Sequence, residues 1–329
     1  MKGKYFITSE SVGNGHPDKV CDQISDAVLD AVLKNDPKGR VACETFITTG
    51  LVVVGGEITT KTYVNIQKLV KEVLLDIGYS HDKYGFSAHT CAILNAIVSQ
   101  SPDISQGVDS GGAGDQGIMI GYACNETKNY MPLEYELARN LCCKIYKKYP
   151  YDGKTQVTLG DNKVLRVVAS FQNTKAKELE NLVKSIIKSE EYIINPAGDW
   201  KIGGFEADSG LTGRKLIVDS YGPRVPVGGG SFSGKDPTKV DRSGAYMARR
   251  IAVDYLKKYK AKEVLVKLAY AIGQEEPLMK SVVINGKERE IEDYDLKPNN
   301  IIESLYLRNP IYTKTSQWGH FGNGFKWDC

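Results

Sequence analysis

The stretch PDKVCDQISDAVLDAVLK (17–34), followed by VACETFITTG (41–50) and LVVVGGEI (51–58), decides the fold class. Its first part predicts a helix, because a proline suits a first helical turn and apolar residues then recur along one face. These residues are Val20, Ile24, Val28 and Ala31. The second part predicts two strands, 41–48 and 51–58. A helix together with strands is typical of an α/β unit.

The same alternation continues along the chain. We predict further helices at 60–77, 132–148, 175–189, 237–258 and 299–306. We predict further strands at 90–98, 118–124, 214–220, 263–271 and 279–284, and a hairpin over 155–171 that turns at Gly160-Asp161-Asn162. Polar and glycine-rich stretches predict loops at 99–117, 198–213 and 222–236. Since each third holds strands and about two helices without a low-complexity linker, we predict three similar α/β units in one body.

Composition excludes several classes of protein. The 329 residues include 43 basic and 40 acidic side chains, for a formal net charge of +3. This balance is not the footprint of a nucleic-acid-binding protein. No apolar run approaches the ~18 residues that a membrane-spanning helix needs, and the start, MKGKYFITSESVG, is not expected to be a secretory signal. We therefore expect a cytoplasmic protein without a membrane or nucleic-acid partner.

The cysteines and histidines do not indicate a disulfide framework or a zinc site. The seven cysteines are odd in number, none has CxxC spacing, and only Cys142 and Cys143 are adjacent. Free thiols are expected. The four histidines are scattered without the spacing of zinc ligands, at His16, His81, His89 and His320.

Two glycine-rich motifs match nucleotide-binding patterns only in part. Residues 112–117, GAGDQG, fit G-x-G-x-x-G, but a polar loop precedes them and a strand-like run follows, so we reject a dinucleotide site. Residues 229–235, GGSFSGK, nearly match a Walker A loop, but Asp236 stands where Ser or Thr should hold Mg²⁺. A glycine-rich loop that presents backbone N–H groups and Lys235 to phosphate remains open.

The segment GHPDK (15–19) is the strongest local signal, because a helix N-terminus suits an anionic group. His16 at the cap can donate to a phosphate oxygen, and Asp18 can bind Mg²⁺. The alternative for both residues is plain helix capping.

Two further groups of charges lie on glycine-flanked turns. Arg214 and Lys215 follow a glycine turn, but in a strand they would point to opposite faces. Lys235, Lys239 and Asp241 could instead be a solvated helix start. Together, however, His16, Asp18, Arg214, Lys215, Lys235 and Asp241 form a set suited to a phosphate chain with hard cations.

These motifs resemble the S-adenosylmethionine synthetase (methionine adenosyltransferase) family. The matching segments occur in family order between residues 8 and 322. They are GHPDK, CETFITTG, VVVGGEITT, QSPDISQGVD, GAGDQG, DSGLTGRK, GGGSFSGKDPTKVDRS and the final GHFG. The resemblance covers nearly the whole chain, and the combination is highly specific.

The resemblance implies an α+β fold of three similar, intertwined α/β two-layer domains with a pseudo-threefold repeat. The expected domains are 1–100 (N-terminal), 101–202 (a lid loop and the central domain) and 203–329 (C-terminal). It also implies a homodimer, which can pair into a tetramer, with sites at the subunit interface.

The implied reaction joins ATP and L-methionine into S-adenosylmethionine. The methionine sulfur attacks ribose C5′, and the tripolyphosphate that leaves is hydrolysed to pyrophosphate and phosphate. A thioether needs no general base, so catalysis must come from in-line positioning and from stabilising the departing charge. Two Mg²⁺ per site and K⁺ are the implied cofactors.

Family roles transfer to individual positions of this sequence. ATP contacts are implied at His16, Asp152, Lys154, Asp199, Trp200, Asp208, Arg214, Lys215, Ser231 and Lys235. Among these, catalytic roles are implied for His16, Lys154, Arg214, Lys215 and Lys235. Methionine contacts are implied at Glu57, Gln100, Asp115, Asp208 and Lys239. Asp18 and Asp241 would bind Mg²⁺, and Glu44 would serve a K⁺ site.

Several positions depart from the family pattern. Asn14 replaces an acid before GHPDK, and Asp199 stands where an arginine usually precedes the aromatic residue Trp200. The loop between Val108 and Gly112 is short, and the middle third is trimmed. Two other functions stay open: a non-catalytic nucleotide-binding regulatory homologue, and a phosphotransferase that would yield ADP.

Overall fold

Three four-stranded sheets organise the part of the chain that the computed structural model describes, residues 6–80, 87–99, 111–161 and 163–329. The strands are β1 (Phe6–Val12), β2 (Arg40–Thr48), β3 (Leu51–Thr59), β4 (Ala92–Val98), β5 (Gly117–Cys124), β6 (Gly153–Gly160), β7 (Lys163–Phe171), β8 (Glu191–Ile194), β9 (Gly210–Leu211), β10 (Glu263–Tyr270), β11 (Met279–Ile284) and β12 (Lys287–Glu290). The helices are α1 (Pro17–Leu33), α2 (Ile66–Ile77), α3 (Leu133–Tyr146), α4 (Ala176–Ile186), α5 (Leu216–Asp219), α6 (Val240–Tyr259), α7 (Pro298–Ser304) and α8 (Tyr312–Thr315).

Each sheet combines three strands that are close in sequence with one strand from a distant part of the chain. The first sheet has the order β4-β3-β2-β9, the second β1-β6-β7-β8 and the third β12-β11-β10-β5. The chain therefore passes between units, and the predicted α+β class with three intertwined α/β units is confirmed. The domain boundaries at residues 100 and 202 stay a prediction.

Helices cover one face of each sheet, which gives every unit two layers. Helices α1 and α2 lie on the first sheet, α3 and α4 on the second, and α6 on the third. The first and third units share one large apolar core, and the second unit has a core of its own between α3, α4, β6 and β7.

Helix α1 lies at the centre of the large core. Its predicted apolar residues Val20, Ile24 and Val28 are fully buried. It packs on β2, α2, β9 and α8, elements from opposite ends of the sequence. Because α1 is surrounded on several sides, its polar positions are buried as well, and they need partners inside the protein.

The prediction of a strand at 214–220 is wrong. Residues Leu216–Asp219 form the short helix α5, whose last N–H, that of Asp219, donates to the Lys215 carbonyl at 2.8 Å. Lys19 binds the Asp219 carboxylate at 2.7 Å and ties the end of this turn to α1. These tertiary contacts outweigh the strand preference of an isoleucine-valine pair.

The other elements agree with the predicted ones to within a few residues, with some exceptions. Helix α2 begins at Ile66 instead of residue 60, because the Asn65 side chain caps it by accepting from the Lys68 N–H at 3.0 Å. Strands β1, β8, β9 and β12 and the short helix α8 were not predicted, and β9 lies within the loop predicted at 198–213. Of the loop predicted at 99–117, residues 100–110 lie outside the described residues, and 111–116 hold no helix or strand.

Within the four described ranges, every helix is too short or too polar to span a bilayer.

A buried ion pair between α1 and α6 generates a stability prediction. The Arg242 guanidinium binds both oxygens of Asp26, at 2.7 and 2.9 Å, and both side chains are at most 1% exposed. Removing one partner leaves a buried charge without its counter-ion. We expect Arg242→Met to lower the free energy of unfolding by ~3–5 kcal/mol in urea titrations.

The matched control is Lys184→Met in the exposed Lys184–Glu180 pair of α4. This change should cost less than ~1 kcal/mol. Equal losses in the two variants would contradict a special contribution from the buried pair.

Candidate active site

The start of α1 gathers positive charge around one carboxylate. Asp18 Oδ1 accepts from the Leu211 N–H at 2.9 Å and from Arg214 Nε at 2.7 Å, and its Oδ2 accepts from Lys215 Nζ at 2.6 Å. Burial raises the pKa of Asp18, but the hydrogen bonds from Lys215, Leu211 and Arg214 outweigh it and hold the pKa below its usual value. Asp18 is therefore ionised.

Arg214 and Lys215 converge on Asp18, contrary to the strand geometry that would separate them. They can do so because the chain turns into α5 directly after Lys215. The Asp18 side chain is 2% exposed, whereas Arg214 is 42% and Lys215 18% exposed. The carboxylate thus lies beneath two cations that still face solvent, where an anionic ligand can reach them.

His16 is held beside this group as a neutral hydrogen-bonding side chain. Burial lowers its pKa to about 3, and the charges of Lys215 and Lys154 act in the same direction. Its Nδ1 accepts from the Asp18 N–H at 3.2 Å. In a neutral imidazole the other nitrogen then carries the proton, so Nε2 is the donor that a phosphate or leaving oxygen could use.

A second group of charges surrounds the start of α6. Lys235 Nζ binds Asp241 Oδ2 at 2.6 Å, and Lys239 Nζ binds Asp236 Oδ2 at 2.5 Å. Asp236 also accepts from the Val41 N–H at 2.8 Å, which fixes this group against β2. The structure thus pairs Lys235, predicted for a phosphate contact, with Asp241, predicted for Mg²⁺, and pairs Lys239, predicted for methionine, with the adjacent Asp236.

Asp152 and Lys154 lie at the start of β6, near the first group. Burial raises the pKa of Asp152 to about 6. Its Oδ2 accepts from the Gly204 N–H at 3.2 Å, and its Oδ1 is buried without a hydrogen-bond partner among the described residues. The charges of Lys154 and Asp208 act on Asp152, so these three predicted ATP residues are neighbours.

Trp200 and Asp199, the next two predicted ATP residues, each have a partner within the protein. Trp200 packs so closely on Gly203 that a Cβ at Gly203 would lie 2.2 Å from its ring. Asp199 Oδ1 accepts from the Ala176 N–H at 2.8 Å, at the first residue of α4. Asp199 thus has a helix-capping contact, and its predicted contact with ATP stays a prediction.

The remaining predicted residues are more scattered. Glu44 and Glu57 are exposed on β2 and β3, and Asp115 is exposed two residues before β5. Ser231 lies against Gly213, where an added Cβ would come within 2.7 Å of the Ser231 Cβ. Gln100 lies outside the described residues.

Sequence reasoning singled out Asp18 but missed the row of acids that continues from it along α1 and holds the two charged groups in place. Asp18, Asp22, Asp26 and Asp30 recur at every fourth position of α1. Asp22 accepts from the Gly213 N–H at 2.8 Å, and Asp26 from the Gly234 N–H at 2.8 Å. Asp30 accepts from the Tyr312 and Thr313 N–H groups. The i, i+4 spacing of these acids along the predicted helix was the available signal.

A cleft of about 660 Å³ opens beside the first group. Its walls include Arg214, Lys215 and Ile217 on one side and Glu10 and Gln156 of the second sheet on the other. A cleft lined by two adjacent cations, with a neutral histidine donor next to them, suits a phosphorylated ligand.

The sequence matches three domain profiles in succession. They are the S-adenosylmethionine synthetase N-terminal domain at residues 4–102, the central domain at 110–200 and the C-terminal domain at 202–329. The chain belongs to the S-adenosylmethionine synthetase family. The resemblance predicted from the motifs is confirmed, and with it the expectation of an enzyme.

Full-length relatives agree with this assignment. The chain is 47% identical to an S-adenosylmethionine synthase of Clostridium tetani, with 96% of this chain and 94% of the relative aligned. It is 47% identical to the enzyme of the same name from Desulforudis audaxviator (98% and 94% aligned) and 46% identical to that of Thermus thermophilus (100% and 96% aligned). The alignment with the Thermus synthase spans 381 positions against 329 residues here, so that relative has positions without a counterpart in this chain.

The buried carboxyl of Asp152 gives this synthetase a testable pH dependence. Because its folded pKa of about 6 lies above the unfolded value of 3.8, the folded state binds more protons between these values. Its contribution to stability is therefore lost as pH rises from about 4 to about 6. We expect Asp152→Asn to have a higher free energy of unfolding than the wild type at pH 8, by at most ~3 kcal/mol, as measured by urea titration.

The internal control is pH 4, where both carboxyl and amide are uncharged in the folded state and the two proteins should differ little. A stability difference that is the same at pH 4 and pH 8, or an Asn variant that is less stable at pH 8, would contradict this reasoning.

Proposed function

We propose that the chain is a methionine adenosyltransferase that converts ATP, L-methionine and water into S-adenosylmethionine, pyrophosphate and phosphate. The methionine sulfur attacks ribose C5′ and displaces the whole tripolyphosphate, which is then hydrolysed. The observation that carries this proposal is the convergence of Arg214 and Lys215 on Asp18, beside a neutral His16. The family membership given above supports it.

The chemistry requires little more than positioning and charge. A thioether sulfur is nucleophilic without a general base, so the protein must align it with C5′ and stabilise the negative charge that develops on the leaving chain. Arg214, Lys215, Lys235 and Lys154 supply positive charge for that chain, and His16 Nε2 supplies a hydrogen bond for the leaving oxygen. Ser231, near Gly213, is proposed to contact the phosphates as well.

The adenosine and methionine contacts follow the predicted residues. Asp152, Trp200 and Asp208 would contact the nucleoside, and Asp199 the same region. Glu57, Gln100, Asp115, Asp208 and Lys239 would contact methionine. Asp115 lies two residues before Gly117, where an added Cβ would lie 3.1 Å from Asp241 Oδ1, so this part of the chain is close to the second charged group.

The acids present fit the cations that the family uses. Mg²⁺ is commonly held by one or two carboxylates together with phosphate oxygens and water. Asp18 and Asp241 each offer a carboxylate that now neutralises a cation, and the same carboxylates would hold Mg²⁺ while the cations turn to phosphate. When bound, Mg²⁺ neutralises charge on the phosphate chain. Glu44, exposed on β2, would serve the K⁺ site.

The non-catalytic regulatory alternative is not favoured, because the described cations and acids of both groups are in place. A phosphotransferase, which would transfer only a terminal phosphoryl group, is not favoured either, because the chain belongs to the S-adenosylmethionine synthetase family. Cytoplasmic location stays a prediction.

A product assay by mass spectrometry tests the proposal. With ATP, methionine, Mg²⁺ and K⁺ present, we expect S-adenosylmethionine, pyrophosphate and phosphate. Omission of methionine or Mg²⁺ should abolish the product, because each supplies a reactant or charge neutralisation of the phosphates. ADP as the product would indicate a phosphotransferase, and ATP binding without turnover a regulatory homologue.

The matched variants are Lys235→Ala and, as control, Lys68→Ala on the exposed surface of α2. Lys235→Ala should lower kcat by ~100-fold or more, with a smaller change in methionine binding. Lys68→Ala should behave as wild type. An unchanged rate in Lys235→Ala would remove this lysine from the mechanism.

We further propose that a second copy of the chain covers the open face of the first sheet. Strand register places one apolar side chain from each strand in a row across this face: Leu94, Val53, Phe46 and Leu211. Leu94 is 54% and Leu211 37% exposed. Glu44 and Glu57, two of the predicted site residues, lie on the same face, so a partner covering it would enclose them. An apolar patch continuous with site residues is typical of a symmetric interface.

Leu94→Asp tests this interface. A charge at the β4 end of the row should yield a monomer on size exclusion with light scattering, with at least ~tenfold lower activity, because a buried unpaired charge costs more than 1.4 kcal/mol. The control is Ile272→Asp, since Ile272 is 57% exposed after β10, away from this row. A dimeric Leu94→Asp or a fully active monomer would refute the proposal.

A further inference from the structure

Residues 211–219 form a short segment that carries both cations of the first group, and we call it the cation segment. Its first half is attached to α1 and β2 residue by residue. The Leu211 N–H donates to Asp18, and the Gly213 N–H to Asp22. Between them, Thr212 Oγ1 lies 2.8 Å from Ser25 Oγ and accepts from the Thr45 N–H at 2.9 Å.

The far end of the cation segment is attached to the same turn of α1. Lys19 Nζ lies 2.7 Å from Asp219 Oδ2 and 3.7 Å from Asp22 Oδ2, and the side chains of Lys19 and Asp22 are at most 2% exposed. Burial raises the pKa of Asp219, and the adjacent acids keep the pKa of Lys19 above its usual value despite its burial. Lys19, Asp22 and Asp219 thus form one buried triad.

The conformation between the two attachments is demanding. Gly213 has φ +84°, in the left-handed region that favours glycine, and Arg214 and Lys215 follow it directly. A hydrogen bond to the Gly213 N–H therefore controls the direction in which the chain leaves this turn, and with it the position of both cations.

We propose that Asp22, together with the Lys19–Asp219 ion pair, is a positioning element that aims Arg214 and Lys215 at the phosphate chain. It acts through the backbone of the cation segment and does not touch substrate. The inference rests on the proposed function, since it assigns these cations to phosphate binding.

The expected size of the effect follows from the geometry requirement of catalysis. A displacement of about 1 Å in groups that contact the transition state can cost ~100-fold in rate. Catalytic groups also need supporting residues that fix them to rigid elements, and α1 is a helix with most of its residues buried. Loss of the Asp22 acceptor leaves the Gly213 N–H unsatisfied and frees the turn to relax.

The test compares three variants of the full-length enzyme. Asp22→Ala removes the acceptor, whereas Asp22→Asn keeps an oxygen that can accept from Gly213. Asp30→Ala is the control, because Asp30 also lies on α1 and accepts backbone N–H groups at 2.8 and 2.9 Å, but from α8 and not from the cation segment.

We expect Asp22→Ala to lower kcat at least ~tenfold and to weaken the binding of added tripolyphosphate ~tenfold, while the KM for methionine changes less than ~twofold. Asp22→Asn should restore kcat to within ~threefold of wild type. Asp30→Ala should lose thermal stability but keep kcat within ~twofold, since it does not orient a cation.

The opposite pattern would overturn the proposal. A folded Asp22→Ala with wild-type kcat and tripolyphosphate affinity, or an equal loss of kcat in Asp30→Ala, reduces Asp22 to a purely structural residue. Should Asp22→Ala not fold, Lys19→Met at the other attachment carries the same expectation and the same refutation.

Failure of the proposed function can be distinguished from failure of the positioning role of Asp22. A wild-type enzyme that makes no S-adenosylmethionine contradicts that function, whereas the tripolyphosphate affinities still report whether Asp22 positions the cations.

Discussion

The carboxylates on one stripe of α1 hold the rest of the structure in register. Asp18, Asp22, Asp26 and Asp30 each accept a backbone N–H from one of three distant segments, and these partners lie 193, 191, 208 and 282 residues away in sequence. Helical spacing of four residues puts the acids on one side of the helix, one above the other. The intertwined order of the sheets brings the distant segments to that side, so one rigid helix fixes both charged groups.

This arrangement uses charge where most cores use apolar packing. Burying a carboxylate is costly unless it is paired and hydrogen-bonded, and the pKa of Asp22, raised to about 7 by burial, records part of that cost. Hydrogen bonds to charged groups contribute ~1.5–3 kcal/mol each, which offsets it. The gain is specificity of position: Arg214 and Lys215 are held on one carboxylate although like charges repel. Phosphate and metal ions would relieve that repulsion on binding.

Much of the fold could be predicted from local pattern, because α1, β2, β3, α3 and α6 have strong periodicity and clear ends. Residues 216–219 could not, since two β-branched residues predict a strand while the attachment of Asp219 to Lys19 imposes a helical turn. Strands β8 and β12 have only four residues each, too few for a periodic signal. For the site, the residue types at GHPDK and at the glycine-rich turns indicated phosphate and metal chemistry. Their convergence, and the role of the second and third acids of α1, depend on contacts across about two hundred residues, which no local pattern contains.

Amide hydrogen exchange of the free enzyme tests the central claim most directly. Leu211, Gly213, Gly234 and Tyr312 donate their N–H groups to the acids of α1, and three of them lie in turns or in a two-residue strand. If the acids hold these segments, all four amides exchange as slowly as those of the central strands. Exchange at the rate of a turn amide without a hydrogen bond would contradict the account, because the acids of α1 would then not fix the site.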